Sequence, residues 1–245
     1  MSQRVMELGG LNCRIVSHLP VGVQPKLVAV LCHGFGAPGT DLVGIGDELF
    51  DLCPSLADSV EIIFPAAPLS LDQFGMFDGR AWWHIDMEEL IGAIEHGNIR
   101  ILRERRPDGI DEARNQMLAL IDEVRNRTGL PLSKFVLGGF SQGSMIAVEA
   151  ALNLPEPPGG LCLWSSTLVS EADWRPKAAR LKGVPVLQSH GRQDQILPFD
   201  AAIWLRDLLV EAGATVDFIP FNGPHTIPAA GLERLAEMLS RGLSS

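Results

Sequence analysis

Seven short apolar, β-branched runs punctuate the chain, with helical stretches between them, and this alternation limits the possible folds more than any other feature. The runs are Cys13–Ser17, Leu27–Cys32, Val60–Phe64, Phe135–Phe140, Leu161–Ser165, Val184–Ser189 and Thr215–Pro220. Several are apolar almost throughout, as expected of parallel strands covered on both faces. Between them, Ile110, Ala113, Met117, Leu120, Ile121 and Val124 mark one helical face, and Phe199, Ala202, Ile203 and Leu209 mark another. The second helix has Pro198 near its start and Gly213 just past its end, the expected asymmetry. A last helix is predicted near Ala229–Arg241, carrying Leu232, Leu235, Ala236 and Leu239. Strands alternating with helices predict an α/β fold with a mostly parallel central sheet and helices on both faces.

At 245 residues the chain fits one α/β domain, 1–245. It contains no internal repeat and no Pro/Gly-rich linker long enough to divide it; Pro155–Gly160 is a tight connection before a strand. The unusual region is Gln73–Pro107. It is rich in Trp, Phe and Met early, then amphipathic over Met87–Leu102, then basic with Arg100, Arg103, Arg105 and Arg106. Its place between a strand and a helix suits a cap or pocket-lining insertion at about 73–107. The arginines themselves read as cations that suit a helix C-terminal dipole.

The net charge of −10 argues against a nucleic-acid backbone or an anionic membrane surface as the main partner, since both call for clustered Lys and Arg. Cys13, Cys32, Cys53 and Cys162 form no C-x-x-C pair, so zinc and thioredoxin-type chemistry are disfavoured and buried free thiols in a reducing compartment are expected. Met1 to Asn12 lacks an apolar signal-peptide core, and no apolar run approaches the ~18–20 residues of a membrane span. A soluble, cytoplasmic protein is the expectation, with no integral membrane association.

Two glycine motifs compete for the chemistry. Gly34-Phe35-Gly36-Ala37-Pro38-Gly39 matches the G-x-G-x-x-G of dinucleotide sites and follows a strand, with Asp58 or Glu61 about 20 positions on. Pro38, however, removes an N–H from a loop that should offer N–H groups to a pyrophosphate, and His33 has no place in that motif. Gly139-Phe140-Ser141-Gln142-Gly143 is G-x-S-x-G, ending one apolar strand and opening a helix. That context is what a nucleophile elbow requires: a serine on a sharp turn, its Oγ clear of the sheet, with a helix N-terminus directed at the site.

A serine hydroxyl needs a base, and in this arrangement the order is Ser, then Asp or Glu, then His. Only His190 and His225 follow Ser141. The base belongs on the loop before the last helix, which selects His225. The orienting acid belongs just past the penultimate strand, which selects Asp194 and holds Asp200 in reserve. The oxyanion donors are then the backbone N–H groups of Gln142 and of Phe35, in the loop after an early strand. This use of the loop makes its G-x-G-x-x-G a coincidence and His33 a hydrogen-bonded brace.

With these residues placed, the chain resembles the phospholipase/carboxylesterase family, which includes the acyl-protein thioesterases. The matching pieces are LCHGFGAPGTD (Leu31–Asp41), FPAAPLS (Phe64–Ser70), AWWHID (Ala81–Asp86), GGFSQGSMIAVEAAL (Gly138–Leu152), LWSSTL (Leu163–Leu168), HGRQDQILPF (His190–Phe199) and GPHTIP (Gly223–Pro228). They span most of the chain in the family's order, and Gln after the nucleophile is the most specific of them. The resemblance implies an α/β-hydrolase fold that hydrolyses carboxylic ester or thioester bonds without a cofactor or metal. It maps the triad onto Ser141, Asp194 and His225 and the oxyanion amides onto Phe35 and Gln142. Two segments depart from the pattern. The family's HGLGD-type loop reads HGFGAPGTD here, and Gln73–Pro107 is longer than in compact members, with Gly92–Pro107 the least familiar part. The expected partner is a small-molecule or lipid-like acyl ester. Phe74, Met76, Phe77, Trp82 and Trp83 are candidate walls of its pocket, set against a plain core-packing role. A serine peptidase, a non-catalytic binding protein on the same scaffold and a nicotinamide-dependent enzyme are the alternative functions. Oligomeric state is not legible in the sequence.

Overall fold

The computed structural model describes residues 2–244. In chain order the elements are β1 (Ser2–Leu8), β2 (Leu11–Ser17), β3 (Leu27–Cys32), α1 (Val43–Leu52), β4 (Val60–Pro65), β5 (Leu69–Ser70), β6 (Arg80–Ala81), α2 (Met87–Glu95), α3 (Ile101–Glu104), α4 (Ile110–Thr128), β7 (Phe135–Phe140), α5 (Gln142–Asn153), β8 (Gly160–Trp164), α6 (Glu171–Lys177), β9 (Pro185–Gly191), α7 (Phe199–Glu211), β10 (Thr215–Phe221) and α8 (Ala229–Ser244). Eight strands form one sheet in the order β1-β2-β4-β3-β7-β8-β9-β10. From β4 to β10 its strands run parallel, whereas β1 pairs with β2, and β2 with β4, antiparallel. The fold is that of an α/β hydrolase, its sheet mostly parallel as expected, with antiparallel pairing confined to the β1-β2-β4 edge.

The uninterrupted apolar character of the inner strands follows from burial on both faces. All six residues of β3 are buried: Val28, Val30 and Cys32 join the core under α4 and α5, while Leu27, Ala29 and Leu31 join the core under α1 and α8. The six α4 residues named from periodicity are all buried. In α7 the buried face is Ala201, Ala202, Leu205, Leu208 and Leu209, rotated from the expected one, with Phe199 and Ile203 only partly covered. β1 carries no apolar run because most of its side chains from Gln3 to Glu7 are exposed.

The amphipathic stretch expected over Met87–Leu102 is two helices, broken at Gly97, whose φ of +74° is incompatible with a continuing α-helix. Asp86 caps the first by accepting a hydrogen bond from Glu89 N–H at 2.9 Å. Of the basic residues behind it, Arg103 lies in the last turn of the second helix, and three of them form ion pairs. Arg103 pairs with Glu171 on α6 at 2.5 Å, Arg105 with Glu89 at 2.5 Å, and Arg106 with Asp111 and the buried Glu149 at 2.6 and 3.2 Å. Arginines 103 and 106 thus tie the segment after β6 to the body of the domain, while Arg105 links its two halves. Among the described residues, no helix is long and apolar enough to cross a membrane. Cys13, Cys32 and Cys162 are buried free thiols and Cys53 is partly exposed; burial pushes the Cys13 thiol up to about 12.

Candidate active site

Every loop that leaves the C-terminal ends of the parallel strands meets at one edge of the sheet, where open α/β sheets bind ligands. Ser141 sits between β7 and α5 with φ +54° and ψ −122°, a positive-φ conformation outside the left-handed helical region and rare for a residue with a side chain. Its N–H donates to Trp164 O at 2.9 Å, tying the turn to the end of β8. The flanking glycines are dictated by the end of β3. A Cβ on Gly139 would lie 2.1 Å from Cys32 O, and one on Gly143 would lie 2.0 Å from the same oxygen. The turn can therefore pack onto β3 only without side chains at these two positions.

Asp194 and His225 come together although 31 residues apart. His225 Nδ1 donates to Asp194 Oδ2 at 2.6 Å. Asp194 Oδ1 accepts from Ile196 N–H and Leu197 N–H at 2.9 and 2.8 Å. Burial alone would raise the Asp194 carboxyl. The hydrogen bonds from His190, His225 and Leu197 outweigh it and hold the group well below the usual carboxylate range. The His225 ring packs on Phe140 at 4.7 Å between centroids, beside Ser141. Ser165 Oγ anchors the following residue by donating to Thr226 O at 3.2 Å. Asp200, the reserve acid, is exposed in the first turn of α7 and outside this cluster.

The loop after β3 is braced from below. His33 Nδ1 lies 2.8 Å from Gly34 O, which can only accept, and Nε2 lies 3.0 Å from Ala67 N–H, which can only donate. This pins a neutral imidazole with its proton on Nδ1. Burial lowers its pKa further than the Gly34 bond raises it. Trp82 Nε1 donates to His33 O at 2.9 Å, and Gly36 N–H donates to Arg80 O at 2.9 Å. The Phe35 N–H has no acceptor among the described residues. The Gln142 N–H, at the first position of α5, has no intrahelical acceptor.

A cavity of about 380 Å³ adjoins this cluster. Trp83, Ile85, Leu90, Ile101, Leu102, Pro107, Met145, Val169 and Leu197 supply its apolar lining, and His84, Asp86, Glu89, Arg105, Asp108 and Thr167 its polar one. Ser141, Asp194 and His225 do not themselves line it; Met145 stands one helical turn along α5 from Ser141, and Leu197 N–H donates to Asp194. Of the five residues expected to wall it, only Trp83 does. Trp82 is 1% exposed and braces the loop after β3, while Phe74, Met76 and Phe77 are 58%, 39% and 86% exposed on the β5–β6 turn. Aromatic type does not reveal which side of a loop faces the pocket. The residues that do line it lie further along, in α2, α3 and the segment leading to α4. An open groove of about 500 Å³ runs between the end of α1 and α8, away from these residues, lined by Leu52, Cys53, Ala236 and Arg241 among others.

Sequence reasoning missed three contributors. The Gln142 side chain accepts from Trp82 N–H at 2.9 Å and donates to Trp83 O at 2.8 Å, so it fixes the tryptophan segment as well as starting the helix. His190, passed over as a base, lies against Asp194. Glu149 inside α5 is buried yet receives Trp174 Nε1, at 2.6 Å, and Arg106. The H-G-x-x-D spacing was a signal for the second; nothing local signals the other two.

Fold and site together define an α/β hydrolase. The phospholipase/carboxylesterase family model matches residues 21–242, and the chain belongs to that family. It is 30% identical over 191 residues to acyl-protein thioesterase 1 of Aspergillus fumigatus, covering 75% of this chain and 77% of the relative. It is 28% identical over 188 residues to acyl-protein thioesterase 1 of Eremothecium gossypii, covering 73% and 71%. The crystal structure of esterase PE8 superimposes with a TM-score of 0.76 at 26% identity, covering 94% of this chain and 98% of that one. The protein is a hydrolase of the carboxylesterase/thioesterase type.

Proposed function

We propose that the chain acts as one hydrolase unit that cleaves carboxylic ester or thioester bonds by two-step acyl transfer from Ser141. The observation that carries the reading is the 2.6 Å hydrogen bond from His225 Nδ1 to a buried, ionised Asp194 beside the strained Ser141 turn. With Nδ1 committed to Asp194, Nε2 is the atom left to take the Ser141 proton. As Oγ bonds to the carbonyl carbon, Asp194 fixes the imidazole tautomer and stabilises the imidazolium. The N–H groups of Phe35 and Gln142 receive the oxyanion; one such donor is worth about 3–4 kcal/mol of barrier. The C–O or C–S bond then breaks, His225 returns the proton to the leaving group, and water attacks the acyl-enzyme by the same route.

The cavity supports a substrate class. Its apolar walls, reached through Met145 and Leu197, suit the acyl part of a small-molecule or lipid-like ester. The relatives named as acyl-protein thioesterases and as an esterase support both the oxygen-ester and thioester versions.

Hydrolysis of a p-nitrophenyl acyl series from acetate to palmitate, by wild type and Ser141→Ala in parallel, tests the reading. Ser141→Ala should lower turnover by roughly three orders of magnitude or more with the fold intact. Retained activity in the purified variant overturns the assignment.

A further inference from the structure

We infer that His190 is a second, positioning imidazole that sets the basicity of the Asp194–His225 pair; the inference rests on the triad reading above. His190 is completely buried at the end of β9. Its Nε2 lies 2.8 Å from Leu197 O and 3.2 Å from Asp194 Oδ2. A carbonyl oxygen can only accept, so Nε2 carries a proton and the ring presents one N–H between the carbonyl and the carboxylate. The oxygen it approaches is the one that binds His225. Asp194 therefore has two N–H groups on Oδ1 and two imidazoles on Oδ2, which fills its acceptor positions.

The arrangement has a direction. A second donor on Oδ2 draws charge away from the bond to His225. It thereby lowers the energy that Asp194 gains when His225 becomes cationic. His190 keeps the carboxylate ionised while limiting how far it raises the basicity of the catalytic imidazole. Among the described residues the ion-pair partners of Asp194 are these two histidines alone. Arg192 of the same loop stacks on Phe199 at 4.9 Å, and Asp200 is exposed. Asp86, Glu89, Asp108 and Arg105 line the cavity whose wall includes Leu197. The other ring nitrogen, Nδ1, is buried with no partner among the described residues. The ring is thus held through Nε2, and the amide of a glutamine, which ends near that atom, can replace it.

The test is the pH profile of kcat/KM on a p-nitrophenyl ester for wild type, His190→Leu and His190→Gln, with Ser141→Ala alongside. His190→Leu should move the acid limb up by about half a pH unit, roughly a threefold loss of activity on that limb, and His190→Gln should restore it. Should the leucine variant fail to fold, His190→Asn replaces it. That amide ends a methylene short of the carboxylate and predicts the shift that glutamine does not. An acid limb unmoved in the donor-lacking variant, with Ser141 dependence retained, overturns the role of His190 alone. So does activity that falls equally at every pH, or a shift that glutamine leaves in place. Turnover independent of Ser141 overturns the triad reading and this inference together.

Discussion

Gln142 enters the account through two of its parts: its backbone N–H is the proposed oxyanion donor, and its side-chain amide holds Trp82 N–H and Trp83 O. Gln142→Leu leaves those two buried backbone groups without partners, a cost of about 2–4 kcal/mol. The variant should show a lower urea midpoint together with a reduced kcat, because the same amide holds the tryptophans that brace the Phe35 loop and line the cavity. His33 makes a complementary prediction. Its folded pKa is depressed, so the unfolded chain takes up the proton first as pH falls. The stability it contributes is present above about pH 6.5 and is lost as pH drops through its lowered folded value. His33→Gln should therefore flatten the fall in stability just below pH 6.5, read as the urea midpoint against pH. At this scale the sequence singled out Ser141, Asp194 and His225 as candidates, because each sits at a strand end that a motif marks. It could not reveal that Gln142 reaches Trp82 across 60 positions, because a hydrogen bond between distant residues leaves no local pattern.

Elements show why the glycine motif has its form and where the pocket comes from. Gly143→Ala would place a methyl 2.0 Å from Cys32 O and 2.5 Å from His33 O, both backbone atoms that cannot move without separating α5 from β3. The expected result is a poorly folded or strongly destabilised protein, visible as loss of cooperative thermal unfolding. The α2 helix is the opposite case. It buries none of its residues and is held by the Asp86 cap and the Arg105–Glu89 pair. Asp86→Ala should cost α2 about 1 kcal/mol locally. Amide exchange should quicken across Met87–Glu95 while the melting temperature stays put. The amphipathic pattern of Met87–Leu102 was legible; the break at Gly97 and the cavity beneath were not, since periodicity records which residues avoid water and not what they cover. The aromatics of the β5–β6 turn stand exposed outside that cavity, which residue type alone does not foretell.

Across the whole molecule, buried charge joins layers that apolar packing alone would leave less specifically aligned. Glu149 in α5 binds Arg106, Arg114 and Trp174, and Glu61 in β4 binds Arg4 and Arg127. Removing the shared acid in Glu149→Leu strands two partly covered arginines and a buried indole N–H, an expected loss of about 3 kcal/mol in chemical denaturation. The alternation of strands and helices made the layered sheet legible. Strand β1 and its antiparallel pairing were not, because most of its side chains face solvent.

The central claim is that Ser141 is a nucleophile activated by the Asp194–His225 pair, and fluorophosphonate labelling tests it most directly. The label should map to Ser141 alone by peptide mass, and His225→Ala should slow labelling by roughly a thousandfold or more. An adduct elsewhere, no adduct, or labelling indifferent to His225 would contradict the account.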